Sequence, residues 1–256
     1  MPYASNPSDD ARIYYEVLGD GPAVLMHHGF SRSLLEWHPD YTGVLSSNFR
    51  LILIDARGHG RSSKSTDADA YVMPNRVADV CAVLDAAEAT RAHYVGYSMG
   101  GQVGFGMARY ARERLLSLTV GGMHPWPPEG AAADRSGFAR SLAEGMPAHV
   151  ARMEANLGAA LPEPFRSELL ANDAQALAAV AGAPRDTTLH EGLAGFDLPT
   201  LLYCGTKDGF IDGARRAAET LPNAELVELD GLDHLAAVMR ADLAAPHLAN
   251  FLRRNA

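Results

Sequence analysis

Residues 93–102 read HYVGYSMGGQ, and they decide how the rest of the chain is taken. His93 to Tyr97 is a short run of the kind a strand shows when it is buried on both faces. Gln102 to Arg112 has helical spacing. Between them stands Gly96-Tyr97-Ser98-Met99-Gly100, a G-x-S-x-G pattern. A chain this long carries such a pattern by chance about once in ten. The strand before it and the helix after it make this occurrence informative. Swinging a serine out at the end of a strand needs a sharp strand-to-helix turn. Side chains two before and two after that serine would collide, which favours glycine at both places. The serine backbone is then strained, and its Oγ sits above a helix N-terminus.

Working outward, strand-like runs recur at Ile13–Leu18, Ala23–His27, Arg50–Asp55, Leu115–Val120, Thr200–Cys204 and Ala224–Leu229. Helical faces fall between them. Val77, Val80, Cys81, Leu84 and Ala87 mark one, Gly213–Leu221 a second, and Leu235–Leu252, interrupted by Pro246, a third. Strands alternating with helices predict an α/β fold whose mainly parallel sheet is covered on both faces. Residues 122–197 break the rhythm. They are Ala-rich, repeatedly punctuated by proline, and without a convincing strand. Three short helices are expected there, over 131–145, 148–158 and 164–181. The expected division is therefore a core of residues 1–121 and 198–256, with a helical cap over 122–197 inserted after the sixth strand.

Composition narrows the classes. The chain has 256 residues, 47% hydrophobic and 21% charged, which is ordinary globular usage and excludes a disordered or collagen-like chain. Its formal net charge of −9 would repel a phosphate backbone, so nucleic acid is not an expected partner. No run approaches the ~20 apolar residues of a membrane span, and no signal peptide is read at the N-terminus. Only Cys81 and Cys204 are present, in no C-x-x-C, so buried free thiols in a reducing cytoplasm are expected.

A serine hydroxyl needs a histidine to take its proton, and that histidine needs a carboxylate to hold it. Asp208 lies just past the end of the Thr200–Cys204 run, where sites form in parallel sheets. Asp212, four positions later, competes, but it suits a helix cap near Gly213. Asp208 is favoured. Among ten histidines, His234 stands out by position, on a Gly-containing loop after the last strand-like run and before a helix. Its neighbour Asp233 reads as a surface or capping residue. His27 and His28 lack a further ligand at metal spacing, so no metal site is expected.

The chain resembles the α/β-hydrolase fold superfamily, in its serine esterase, lactonase and perhydrolase branch. The resemblance rests on His27-His28-Gly29-Phe30, on Asp55-Ala56-Arg57-Gly58-His59-Gly60-Arg61-Ser62, on the G-x-S-x-G turn, on Gly205-Thr206-Lys207-Asp208 and on the loop carrying His234. It covers nearly the whole chain outside the cap, and the order Ser, acid, His is the family's. The resemblance implies a mostly parallel sheet of about eight strands flanked by helices. It implies Ser98, Asp208 and His234 as catalytic residues, and the backbone N–H groups of Phe30 and Met99 as an oxyanion hole. Arg57 and His59 are read as buried hydrogen-bonders in a structural turn.

The implied activity is hydrolysis of a carboxylic ester or lactone, of small to medium apolar substrates, through an acyl-enzyme and with no cofactor. Serine at 98 sets the chain apart from the haloalkane dehalogenases and epoxide hydrolases, which place aspartate there. A C–C bond hydrolase, a perhydrolase and a catalytically weak receptor-like protein of the same fold are the alternatives. Met123, Trp126 and Phe138 are the expected pocket residues, whereas Arg135, Arg140 and Arg152 are read as solvated. Oligomeric state is left open, a homo-oligomer included.

Overall fold

A computed structural model describes residues 2–127 and 136–256. Five apolar runs become strands that are buried almost throughout, and three less buried strands complete the sheet. In chain order these are β1 (Tyr3–Ser5), β2 (Arg12–Leu18), β3 (Ala23–His27), β4 (Arg50–Ile54), β5 (Ala92–Tyr97), β6 (Leu115–Gly121), β7 (Thr200–Gly205) and β8 (Ala224–Leu229). They form one eight-stranded sheet in the order β1-β2-β4-β3-β5-β6-β7-β8. β2 pairs antiparallel with both β1 and β4, and every other pairing is parallel. The helices are α1 (Asp40–Leu45), α2 (Met73–Ala86), α3 (Met99–Tyr110), α4 (Ser136–Ala143), α5 (Met146–Leu157), α6 (Phe165–Leu170), α7 (Ala174–Gly182), α8 (Ile211–Thr220), α9 (His234–Met239) and α10 (Ala241–Asn255).

Alternation along each strand feeds two cores. Leu25, Ile52 and Ile54 face the side covered by α2 and α3, where Val80, Val83, Val103 and Phe105 pack. Val24, Met26, Leu51 and Leu53 face the other side, against Tyr41 and Leu45 of α1 and Leu248, Phe251 and Leu252 of α10. Burial on both faces is why these strands carry unbroken apolar runs. The chain leaves β3 for β4 on one side and returns to β5 on the other. Loops after β3 and β5 therefore diverge at the strands' carboxyl ends, the place where open α/β sheets make a crevice.

Two sequence expectations change. β1 lies in a stretch given no strand, because three residues are too few for a period to show. The C-terminal helical stretch is interrupted at Arg240 rather than at Pro246. α9 ends there, and Pro246 sits inside α10 as its sixth residue, where its ring forgoes the bond to the carbonyl four residues back without ending the helix. Between β6 and β7 the described helices are α4 to α7, four where three are expected, because the 164–181 stretch breaks before Asp173, which caps α7. The first expected helix began at 131, and residues 131–135, with Arg135, lie outside the described residues. Arg140 is exposed, and Arg152 pairs with Glu144 at 3.0 Å on the surface.

One buried ion pair ties the N-terminal segment to the core. Arg57, after β4, donates through Nε and Nη2 to Asp79 of α2. It also donates to Asp9 at 2.8 Å, and Asn6 Nδ2 donates to Asp79 at 2.7 Å. Both side chains of the central pair are 5% exposed. Removing one partner leaves a buried, unmatched charge. Asp79→Ala is expected to destabilise the fold by about 3–5 kcal/mol. Urea unfolding followed by circular dichroism checks this, and a loss below ~1 kcal/mol would show that water replaces the carboxylate freely.

Candidate active site

The turn after β5 is built as its glycines require. A Cβ at Gly96 would lie 2.4 Å from the Gly100 carbonyl oxygen, and one at Gly100 would lie 2.1 Å from the His27 carbonyl oxygen. Only glycine lets the strand, the helix and β3 approach so closely. Ser98 holds φ 51° and ψ −109° and is the N-cap of α3. Its N–H donates to Gly121 O at 2.8 Å, and its C=O accepts from Gln102 N at 2.9 Å, which anchors the turn at both ends. The hydroxyl makes no capping bond. It meets His234 instead, with Oγ 2.9 Å from Nε2.

His234 enters from the loop after β8, at the first residue of α9. Asp233 caps that helix by accepting from Ala236 N at 2.8 Å, so the imidazole is left to project toward the sheet edge. Tyr97 and Phe210 flank the ring, each with centroids 5.3 Å from it. The Tyr97 hydroxyl donates to the His234 carbonyl. Asp208 arrives from the loop after β7 with its side chain 1% exposed, and its Oδ2 lies 2.7 Å from His234 Nδ1. Its Oδ1 accepts from Phe210 N at 3.0 Å. The loops after β7 and β8 are themselves joined by Lys207 N donating to Leu232 O at 2.9 Å. Asp212 is exposed and pairs with Arg215 at 3.0 Å, so the carboxylate beside His234 is that of Asp208. Nδ1–H donating to Asp208 leaves Nε2 as the acceptor for the serine proton.

The loop after β3 faces this array and is braced by neutral histidines. Burial pushes the His27 imidazole down to about 3 and His28 to about 4, and drives His59 well below its ordinary value. Each of the last two uses both nitrogens. His28 Nδ1 donates to Gly29 O at 2.7 Å, while its Nε2 accepts from Ala56 N at 2.9 Å. His59 Nδ1 donates to Arg57 O at 3.1 Å, and its Nε2 accepts from Ser31 N at 3.1 Å. Ser31 is held at φ 60°, and its carbonyl accepts from Asn172 Nδ2 at 2.9 Å. Arg32 pairs with Glu168 at 2.9 Å and lies 4.4 Å over the Phe165 ring. The loop is thus tied both to the sheet and to the helices between β6 and β7. The N–H groups of Phe30 and Met99 have no acceptor among the described residues.

Glu36 was not legible in the sequence. It is 4% exposed, accepts from Gly29 N at 3.0 Å and lies 3.5 Å from Arg32. Burial raises its carboxyl to about 7, against the pull of Arg32 and the Gly29 N–H. A charged residue within an apolar-looking stretch gives no signal of where it points.

A cavity of about 290 Å³ opens above Ser98, lined on its apolar side by Phe30, Met99, Met123, Trp126 and Val180. Two of the three expected pocket residues, Met123 and Trp126, reach it. Phe138 does not: it is 40% exposed and packs on Phe30, centroids 5.6 Å apart. No helix among the described residues is long and apolar enough to cross a membrane.

Residues 22–152 match the family described as the alpha/beta hydrolase fold. A protein of Azorhizobium caulinodans provisionally named the carbamate hydrolase RutD is 30% identical over 98% of each chain. A non-heme haloperoxidase of Rhodococcus erythropolis is 26% identical, over 98% of this chain and 99% of that one. Among solved structures, a hydrolase from Pseudomonas aeruginosa superposes with a TM-score of 0.85 at 30% identity, over 97% of both chains. The enol-lactonase of Burkholderia xenovorans shares the fold with a TM-score of 0.82 at 24% identity, over 98% of this chain and 100% of that one.

Glu36 makes stability depend on pH. Its folded value near 7 exceeds the ordinary 4.5, so the folded state holds the proton more tightly. Stability from this group is complete below about 4.5 and is lost as pH rises through about 7. Glu36→Gln keeps an acceptor for Gly29 N and removes the titration. The gap between variant and wild type is expected to shift in the variant's favour by about 2–3 kcal/mol between pH 5 and pH 8. Denaturant titrations at both pH values check this, and a gap independent of pH would sink it.

Proposed function

The chain belongs to the alpha/beta hydrolase fold family, and from that premise we propose that it is a serine hydrolase of carboxylic esters or lactones. The single observation that carries the reading is the continuous relay from Ser98 Oγ through the His234 ring to Asp208 Oδ2, at 2.9 and 2.7 Å. In this reading Ser98 Oγ attacks the acyl carbonyl carbon as His234 Nε2 takes its proton. Asp208 keeps Nδ1 protonated and stabilises the imidazolium. The tetrahedral oxyanion receives the N–H groups of Phe30 and Met99, each such donor contributing about 2.7–4 kcal/mol to the transition state. The N-terminus of α3 adds a favourable dipole. The intermediate collapses, the C–O bond breaks, and His234 returns its proton to the departing alkoxide. Water, deprotonated by His234, then attacks the acyl-enzyme and releases acid and free serine.

Residues 122–197 serve in this reading as the cap. Met123, Trp126 and Val180 come from it to the cavity, and Asn172, Phe165 and Glu168 hold the loop that carries Phe30. The relay uses an acyl carbonyl whatever its leaving group, so the carbamate named for one relative belongs in the same substrate screen.

Purified protein is expected to hydrolyse p-nitrophenyl acetate and to be labelled by a fluorophosphonate at Ser98. Ser98→Ala is expected to lower kcat by about 10⁴-fold or more and to abolish labelling. Full turnover by that variant would falsify the assignment. Labelling without appreciable turnover would favour the binding-only reading.

A further inference from the structure

Part of the lining of the cavity above Ser98 is a row of rings that begins at the His234 imidazole. Phe210 lies 5.3 Å from the His234 ring, His124 5.6 Å from Phe210, and Trp126 6.1 Å from His124, centroid to centroid. Phe210, His124 and Trp126 all line the cavity. Arg76 and Arg185 also reach the lining, but both are already engaged within the protein. We infer that this row binds an aromatic ring on the alcohol side of the scissile bond, with Phe210, His124 and Trp126 as specificity-determining residues. The inference rests on the serine-hydrolase reading and adds the substrate class to it: short-acyl esters of arylmethyl alcohols and phenols.

One face of α8 holds the row in place. Positions 210, 213 and 216 are three apart, and Phe210 already has helical backbone angles as the N-cap, so the three positions fall on one side. The Phe210 N–H donates to Asp208 Oδ1 at 3.0 Å, which ties this ring to the carboxylate beside His234. Gly213 has no side chain, and His124 occupies that place: a Cβ there would lie 1.9 Å from His124 Cδ2 and 2.3 Å from Cγ. Arg216 lies over the Trp126 ring, 4.1 Å from its centroid, and His190 stacks on the same ring at 6.5 Å. Each ring of the row is therefore held before a substrate arrives, and a held ring loses little entropy when a ligand settles on it. Burial keeps the His124 imidazole below its ordinary value, so this ring is uncharged at neutral pH.

The alcohol side follows from the proton. In the serine-hydrolase reading His234 Nε2 returns its proton to the departing alkoxide, so the leaving oxygen stands beside the imidazole, and the row leads away from that point. Phe30, Met99 and Val180 pack in a separate apolar cluster on the lining and are left for the acyl group. About 290 Å³ is at the low end of ligand cavities, room for one ring and a short acyl chain. Aromatic pairs gain beyond their buried area when edges and faces are matched, and a saturated ring of similar size does not. Trp126 is the one member of the row that the sequence points to. His124 and Phe210 are far apart in the chain and meet because β6 and β7 are neighbours in the sheet.

Isomers and ring saturation test it. Benzyl acetate and methyl phenylacetate carry the same atoms with the ring on opposite sides of the ester, and cyclohexylmethyl acetate keeps the size without the π-system. With rates divided by those in hydroxide, benzyl acetate is expected to exceed each of the other two at least tenfold in kcat/KM, chiefly through KM. The ratio of benzyl to cyclohexylmethyl ester, taken within one enzyme so that a general loss cancels, is expected to fall at least threefold in Trp126→Leu and in His124→Leu. Ser98→Ala, titrated with the three esters by NMR, is expected to show the same order of binding without turnover. Should the first two variants fail to fold, the order in wild type and in Ser98→Ala decides the matter. Equal values for the benzyl and cyclohexylmethyl esters overturn the inference, as does a preference for methyl phenylacetate or a ratio that survives in both variants. The expected order of binding with no ester turned over and no labelling of Ser98 would remove the hydrolase reading and leave the aromatic site standing. Turnover of all three esters at equal kcat/KM would do the reverse.

Discussion

Ser98 keeps a backbone conformation that an L-residue adopts at a cost of about 1–3 kcal/mol, and the site follows from it. At φ 51° the chain turns from β5 into α3 within one residue, which lifts the hydroxyl off the strand and places it over the helix N-terminus. Were the turn wider, Oγ would satisfy an amide of α3 as an ordinary cap. The turn is affordable only because Gly96 and Gly100 have no Cβ to strike the backbone around them. The bonds to Gly121 O and from Gln102 N hold it closed.

Around that turn the fold uses rigidity of a particular kind. His28 and His59 are buried, neutral and bonded at both nitrogens to main-chain groups, so each fixes two segments of backbone at once. The loop carrying Phe30 is thereby held on the sheet side, and Arg32 and Ser31 tie its other side to Glu168, Phe165 and Asn172. A movement of the helices between β6 and β7 would pull on the same loop. The position of the Phe30 loop and the lining of the cavity are mechanically joined.

The legible parts and the missed parts differ in kind. The β3, β5 and β7 runs were readable because burial on two faces leaves a nearly unbroken apolar signature, and the turn at Ser98 because steric crowding leaves a glycine on each side. β1 was missed, being three residues long and recruited only by the edge of β2. The break at Arg240 was missed because Pro246 is the louder local signal, yet α10 carries that proline in its interior. Phe138 was chosen for its apolar bulk, but bulk does not say which way a helix is rotated. Glu36 carries no local signal of burial, because charge normally means surface, and here the loop's own Gly29 N–H and Arg32 hold the carboxylate inward.

What the sequence determined by itself is the existence and order of β2 to β8, the sharp turn at Ser98, and the order in which a hydroxyl, a carboxylate and an imidazole follow along the chain. Those are matters of local sterics and hydrophobic period, and neighbours in the chain suffice to impose them. The tertiary structure alone decided that Asp208 rather than Asp212 stands 2.7 Å from His234 and that Glu36 is enclosed beside Gly29. These depend on which strands lie side by side and how each helix is turned. Distances between side chains far apart in sequence are set by packing of the whole sheet, and no stretch of chain contains them.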